Sequence, residues 1–197
     1  DDWISISEKL IPLGNEDRTI EFNFKNEGDT NDWNSIIVWG TASNENEHDE
    51  ELFGIMTRYN EIYVWRHGLP YYQSIATIPY EEWAHVKVSI TNSIYFIYIN
   101  GVLVNSGDAL ELNTISNGVI SIGKSFATQG GNVDGTNDFY LDGVIDDLKI
   151  YNDLRIFVNY KFNAGTGDIL YDHSGNGNHG TIYGATWVEA PDSFDYE

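Results

Sequence analysis

Residues 83–104 read WAHVKVSITNSIYFIYINGVLV. Through Trp83–Thr91 polar and apolar residues alternate, so Val86 and Val88 fall on one side of an extended chain and His85 on the other. Asn92-Ser93 supplies the two-residue break of a hairpin, and Ile94–Asn100 is a second strand. Asn100-Gly101 is a second tight turn, leading into Val102–Asn105. Strands that return so quickly on one another pair antiparallel.

The pattern extends outward in both directions. Thr19–Lys25 (TIEFNFK) sets Ile20, Phe22 and Phe24 against polar neighbours, and Ser35–Gly40 is a short apolar run. Leu52–Arg58 and Glu61–His67 read as two strands joined at Tyr59-Asn60. Val119–Gly123, Asp138–Tyr151, Phe157–Asn163 and Thr181–Val188 follow. No window sustains a helical period with caps. Short strands at regular spacing, punctuated by Gly, Asn and Asp, predict an all-β sandwich, with Asn44–Glu51 and Thr128–Asn137 as exposed loops. A length of 197 residues suits one such domain spanning residues 1–197.

The two ends raise a separate question. DSFDYE closes the chain and DDWISIS opens it; joined end to start they give SFDYEDDWISIS, which reads as the interior of one strand. The first residue is Asp rather than Met, so a processed chain or an excised segment is expected.

Composition narrows the function. Apolar residues make up 41% and aromatic residues 14%, enough for a packed core. The net charge of −21 argues against nucleic acid and against anionic membrane surfaces, and favours solubility or cation binding. Cysteine is absent, which excludes disulfides and thiolate metal sites. No stretch is long and apolar enough to span a membrane as a helix.

Three segments carry a resemblance: WAHVKVSIT…IYINGVLV (83–104), ISIGK…FYLDGVIDDLKIYN (120–152) and YKFNAGTGD…DHSGNGNHGTI (160–182). Together they resemble the laminin G-like, concanavalin A-type domains. The resemblance implies a jelly roll of two antiparallel sheets packed face to face. The order departs from that family. A YKFN…DHSGNGNHGTI segment opens such domains and VIDDLKIYN closes them, whereas here the opener follows the closer across Asn152–Arg155. Three arrangements account for this: a circular permutant, one period of a tandem array, or donation of residues 157–197 to a neighbouring chain.

The loop Asp172-His173-Ser174-Gly175-Asn176-Gly177-Asn178 offers side-chain oxygens from Asp172, Asn176 and Asn178, the hard ligands calcium takes. Alternation through Val144–Ile150 puts Asp146 on an apolar face with Val144, Leu148 and Ile150, where a carboxylate needs a partner. Asp146 is therefore a fourth candidate ligand; alternatively it caps backbone amides of the loop without metal. The resemblance implies calcium in many such domains. Glu47, Asp49 and Glu51 have the E-x-D-x-E spacing used by retaining glycosidases of this class, but His48 and Glu50 stand where those enzymes place core residues. His48, His67, His85, His173 and His179 show no zinc spacing. Tyr63, Trp65 and His67 share a strand face, with Tyr71 and Tyr72 just beyond, and Tyr63, Trp65, Tyr71 and Tyr72 form a candidate ligand platform.

The expected function is a non-catalytic extracellular binding or adhesion module for a glycan or protein, held together by calcium. The alternative is a structural subunit that self-assembles into a filament or surface layer by strand donation between copies. A glycoside hydrolase is a distant third.

Overall fold

A computed structural model of the chain describes residues 2–7, 10–28, 33–40, 52–66, 73–108, 112–116, 118–125 and 139–191, with 65–66 and 73–75 described by backbone alone. These residues form strands and no helix. In chain order the strands are β1 (Trp3–Ser7), β2 (Arg18–Asn26), β3 (Asn34–Gly40), β4 (Leu52–Arg58), β5 (Glu61–Arg66), β6 (Gln73–Thr77), β7 (Trp83–Thr91), β8 (Ile94–Ile99), β9 (Val102–Asp108), β10 (Val119–Ile122), β11 (Gly143–Tyr151), β12 (Ile156–Tyr160), β13 (Ile169–Leu170) and β14 (Gly180–Tyr183).

They make two antiparallel sheets. One has eight strands in the order β13-β14-β1-β10-β3-β4-β5-β6; the other has six, β12-β11-β2-β7-β8-β9. The apolar half of each alternation faces the partner sheet. Ile20, Phe22 and Phe24 of β2 and Ala84, Val86, Val88 and Ile90 of β7 meet Ile37, Trp39, Phe53, Ile55, Ile120 and Ile122 in one continuous core. This is the sandwich expected from the sequence.

The turn chemistry is also as read. Asn92 and Ser93 have φ of 50° and 60°, and Asn100 and Gly101 have 51° and 77°, the left-handed pairs whose twist suits two-residue hairpins. Tyr59 turns β4 into β5 with φ of 52°.

One alternation fails. β11 carries a bulge between Asp146 and Lys149, where Asp147 takes a left-handed φ of 49°. The insertion shifts the phase of the strand. Leu148 and Ile150 lie in the core after it, but Ile145 packs on the core before it, so Val144 and Asp146 do not share the apolar face. The expected single face for Val144, Asp146, Leu148 and Ile150 is thereby corrected.

The C-terminal segment extends both sheets. β12 returns on β11 through the turn Asn152–Arg155, closed by the Asn152 N–H to Arg155 carbonyl bond of 3.0 Å. β14 pairs with β1, Trp3 opposite Tyr183 and Ile6 opposite Gly180, leaving β1 between β14 and β10. Asp1 and residues 192–197, where the joined string would meet, lie outside the described residues.

Candidate functional site

The second sheet covers one face of the six-stranded sheet, and no strand or helix among the described residues covers the other. The burial pattern of β7 alternates strictly, so Trp83, His85, Lys87, Ser89 and Thr91 point outward, each partly buried. Neighbouring strands contribute in register. Asn159, Lys149, Glu21, Lys87, Tyr98 and Leu103 form one row across all six strands. Tyr151, Thr19, Ser89, Phe96 and Ser106 form the next row. Asn23 pairs with His85, and Lys25 with Trp83, on the far side of Glu21.

Glu21 organises the middle of this face. Its two oxygens accept from the Tyr151 hydroxyl at 2.7 Å and from Lys149 Nζ at 3.3 Å. Burial acts to raise its carboxyl, but the Tyr151 hydroxyl and the Lys149 ammonium outweigh it and hold the group below the ordinary carboxylate value. The same contact works in reverse on Tyr151: burial first, then the hydrogen bond to Glu21, push its hydroxyl well above the usual tyrosine value. His85 is lowered, by burial first, with Lys149 and Lys87 adding to it against the pull of Glu21. It is therefore a neutral donor–acceptor at neutral pH. Lys87 lies over the Tyr98 ring at 5.6 Å, and Thr19 and Ser89 share a hydroxyl bond of 2.9 Å.

Three of the ten basic residues of this acidic chain, Lys25, Lys87 and Lys149, stand on this one face. The arrangement offers flat aromatic surface (Trp83, Phe96, Tyr98) interleaved with fixed polar groups. Such a surface stacks on rings and hydrogen-bonds hydroxyls.

The residues singled out as metal ligands are brought together in part. Asp172, Asn176 and Asn178 converge on β12. Asp172 Oδ1 accepts the N–H groups of Asn159 (3.0 Å) and Ser174 (2.9 Å), and Oδ2 accepts the Ser174 hydroxyl (2.7 Å) and the Asn178 N–H (3.0 Å). Asn176 Nδ2 donates to the carbonyls of Ile156 (2.8 Å) and Phe157 (2.9 Å); Asn178 Nδ2 donates to those of Leu10 and Phe157, both at 3.1 Å. His179 Nδ1 accepts the Asp172 N–H at 3.0 Å, which places His179 as an orienting residue of the loop.

A carboxylate has about four acceptor positions, and all four at Asp172 are taken by protein donors. In this conformation the protein's own donors clasp the loop to β12. Asp146 stands apart, its Oδ1 accepting the Asp147 N–H at 2.9 Å. Among the described residues no three His, Cys, Asp or Glu side chains are grouped to hold a metal.

The proposed aromatic platform fares differently. Tyr63 is on the outward face of the eight-stranded sheet, but it packs edge-on against Trp33 (4.8 Å) in a second apolar cluster with Val38, Leu52 and Met56, and its hydroxyl donates to Glu61 at 2.5 Å. Trp65 follows on β5 in register with Gly54, described by backbone alone. Tyr71, Tyr72, His67 and the acidic run with Glu47, Asp49 and Glu51 lie outside the described residues.

A laminin G-type family model, described as the concanavalin A-like lectin/glucanases superfamily, matches residues 1–155. The chain belongs to that family. The match stops at the β11–β12 turn, so the third resembling segment lies beyond it. No curated protein matches the sequence. Among solved structures, a candidate carbohydrate-binding protein from Bacteroides ovatus superposes with a TM-score of 0.70 at 14% identity; the match covers 99% of this chain and 60% of that one. The CBM40 of a Ruminococcus gnavus IT-sialidase, solved with α2,3-sialyllactose, gives 0.53 at 17% identity over 72% of this chain and 77% of its own. Domain 4 of an extracellular arabinanase from Geobacillus stearothermophilus, solved with arabinotriose, gives 0.50 at 20% identity over 72% and 62%. Likenesses at these identities establish the jelly-roll fold, which hosts many functions.

Proposed function

We propose that the chain is a non-catalytic glycan-binding module that holds sugar on the outward face of its six-stranded sheet. The carrying observation is the register of β2, β7, β8 and β11. It lays Trp83, Phe96 and Tyr98 beside Glu21, His85, Lys87 and Lys149 on one open surface. Solved carbohydrate-binding relatives of the same fold support the reading. An extracellular setting belongs to the proposal. Of the three lysines, Lys25 and Lys149 hold Glu27 and Glu21, so a sugar carboxylate would be met by Lys87. Calorimetry with neutral and carboxylated oligosaccharides tests it. Tyr98→Ala and Trp83→Ala are each expected to weaken binding about tenfold, the loss of one stacked ring at about 1–1.5 kcal/mol. Unaltered binding in both variants, or no sugar bound at all, overturns the assignment.

A further inference from the structure

A cleft of about 280 Å³ lies where the two sheets part, walled by Trp3, Phe162 and Trp187 and by four consecutive residues of β11, Gly143–Asp146. Successive side chains of a strand point to opposite faces. Four consecutive residues lining one cleft therefore mean that β11 turns its edge toward it. The pairing agrees. Along Gly143–Asp146 β11 is bonded to β2 on one side, while on the other β12 covers residues Leu148–Tyr151 and stops. The two strands part where Asp147 (φ 49°) and Phe162 (φ 48°) both take left-handed backbone, and the Lys161–Asp147 ion pair of 2.7 Å fixes the fork. Among the described residues no strand continues along that edge.

The walls are held in place. Trp3 stacks on Tyr183 at 4.9 Å, and Trp187 Nε1 donates to the Gly167 carbonyl at 2.9 Å. Asp2, Glu27 and Asp146 also line the cleft. Glu27 is ion-paired with Lys25 at 2.6 Å. Asp146 has one oxygen on the Asp147 N–H, and burial pushes its carboxyl above the ordinary value. An exposed strand edge binds extended chain through its main-chain groups, with side-chain pockets giving selectivity. Acidic lining on a chain of net charge −21 draws a basic partner and repels a second copy of itself.

We propose that this edge receives an extended, basic peptide segment, which adds as a short strand beside Gly143–Asp146 and sets a lysine or arginine against Asp146, its apolar neighbours lying on Phe162. The probe is acetyl-Val-Arg-Val-Arg-Val-amide, titrated into the full chain with tryptophan fluorescence and calorimetry as readouts. Saturable binding is expected, at least tenfold weaker for Asp146→Asn and for a probe N-methylated at its central valine. Val-Glu-Val-Glu-Val is expected not to bind. A melting curve of Asp146→Asn that matches wild type shows that the variant is folded. Absence of binding to the full chain overturns the proposal. So does equal binding of the N-methylated probe or of argininamide alone, which reduces the cleft to a cation pocket, and so does indifference to Asp146→Asn.

Discussion

Asp172→Asn distinguishes a clasp made by the protein alone from one made by a metal. Asp172 is 7% exposed, and its carboxylate accepts three backbone N–H groups and one hydroxyl. An asparagine keeps Oδ1 and with it the bonds from Asn159 and Ser174. Its amide nitrogen replaces Oδ2 and faces the Asn178 N–H, donor against donor, at a residue with no exposure. The Ser174 hydroxyl can rotate to accept. One stranded buried donor costs about 1–3 kcal/mol, and two charge-assisted bonds made neutral remove roughly another 1 kcal/mol, so about 3 kcal/mol is lost in all. For a domain of this size that lowers Tm by about 6–12 °C. The pH dependence has a definite sign. Burial acts to raise the Asp172 carboxyl, but the donors of Ser174, Asn159 and Asn178 outweigh it and hold the group below its ordinary value. A depressed carboxyl contributes stability that is complete above the unfolded value of about 3.9 and is lost as pH falls through the lower folded value. The gap between wild type and Asp172→Asn should be constant from neutral pH down to about 5 and narrow below about 4. Calorimetric melts across that range, with calcium and with chelator, are the assay. A gap that does not narrow in acid refutes the argument. So does a calcium-dependent rise in wild-type Tm that Asp172→Asn abolishes, which would make the metal the partner of Asp172.

A Cβ at Gly143 would sit 2.5 Å from the Lys25 carbonyl oxygen and 2.8 Å from the Phe24 ring; Gly143→Ala is expected to destabilise by about 3 kcal/mol in urea titration, at the top of the usual overpacking range, and near-neutral behaviour would show that β2 and β11 can separate. Glu21→Gln removes the charge that helps hold the Tyr151 hydroxyl high; ultraviolet titration should show one tyrosine ionising at lower pH than in wild type, and an unchanged profile would detach Tyr151 from Glu21.

The sheets were legible because alternation is a local signal. Thr19–Lys25, Ser35–Gly40, Leu52–Arg58 and the 83–104 hairpin fall within a residue or so of the observed strands, and Asn-Ser and Asn-Gly mark turns whose φ values need them. β6 and β13 escaped notice; β13 has two residues and exists because β14 lies beside it. The face of Asp146 is not legible from alternation, because a bulge at Asp147 breaks the period and an Asp-Asp pair is a weak cue for left-handed backbone. The oxygens of the 172–178 loop were visible in the sequence. Their target was not, since β12 supplies the Asn159 N–H and the Phe157 carbonyl from well upstream. The outward face of β7 and β8 was written in the polar half of the same alternation that identified the core. The pattern states which half is buried, not which half is left without a cover.

The family match ends at residue 155, yet the sandwich does not close there. Phe157, Val158, Tyr160 and Leu170 lie beyond it, all in the core and none more than 1% exposed. Burying four such side chains contributes about 6–12 kcal/mol, comparable with the whole stability of a domain, about 5–15 kcal/mol. Removing them also strips β14 from β1 and leaves an open edge prone to association. Residues 1–155 alone are therefore expected to melt without cooperativity, and a peptide of residues 156–197 added in trans is expected to restore a sharp transition. A sharp melt of 1–155 within a few degrees of the full chain would refute this. The same contacts can form within one chain or between two. What favours one chain is the β11–β12 turn: Asn152 Oδ1 accepts the N–H groups of Leu154 (3.0 Å) and Arg155 (3.1 Å), and Arg155 pairs with Glu16 at 2.9 Å. Donating β12–β14 to a neighbour requires that turn to open, and the full chain should accordingly scatter light as a monomer at every concentration. A mass that climbs with concentration would put β12–β14 on the next chain and make assembly, rather than sugar, the business of this fold.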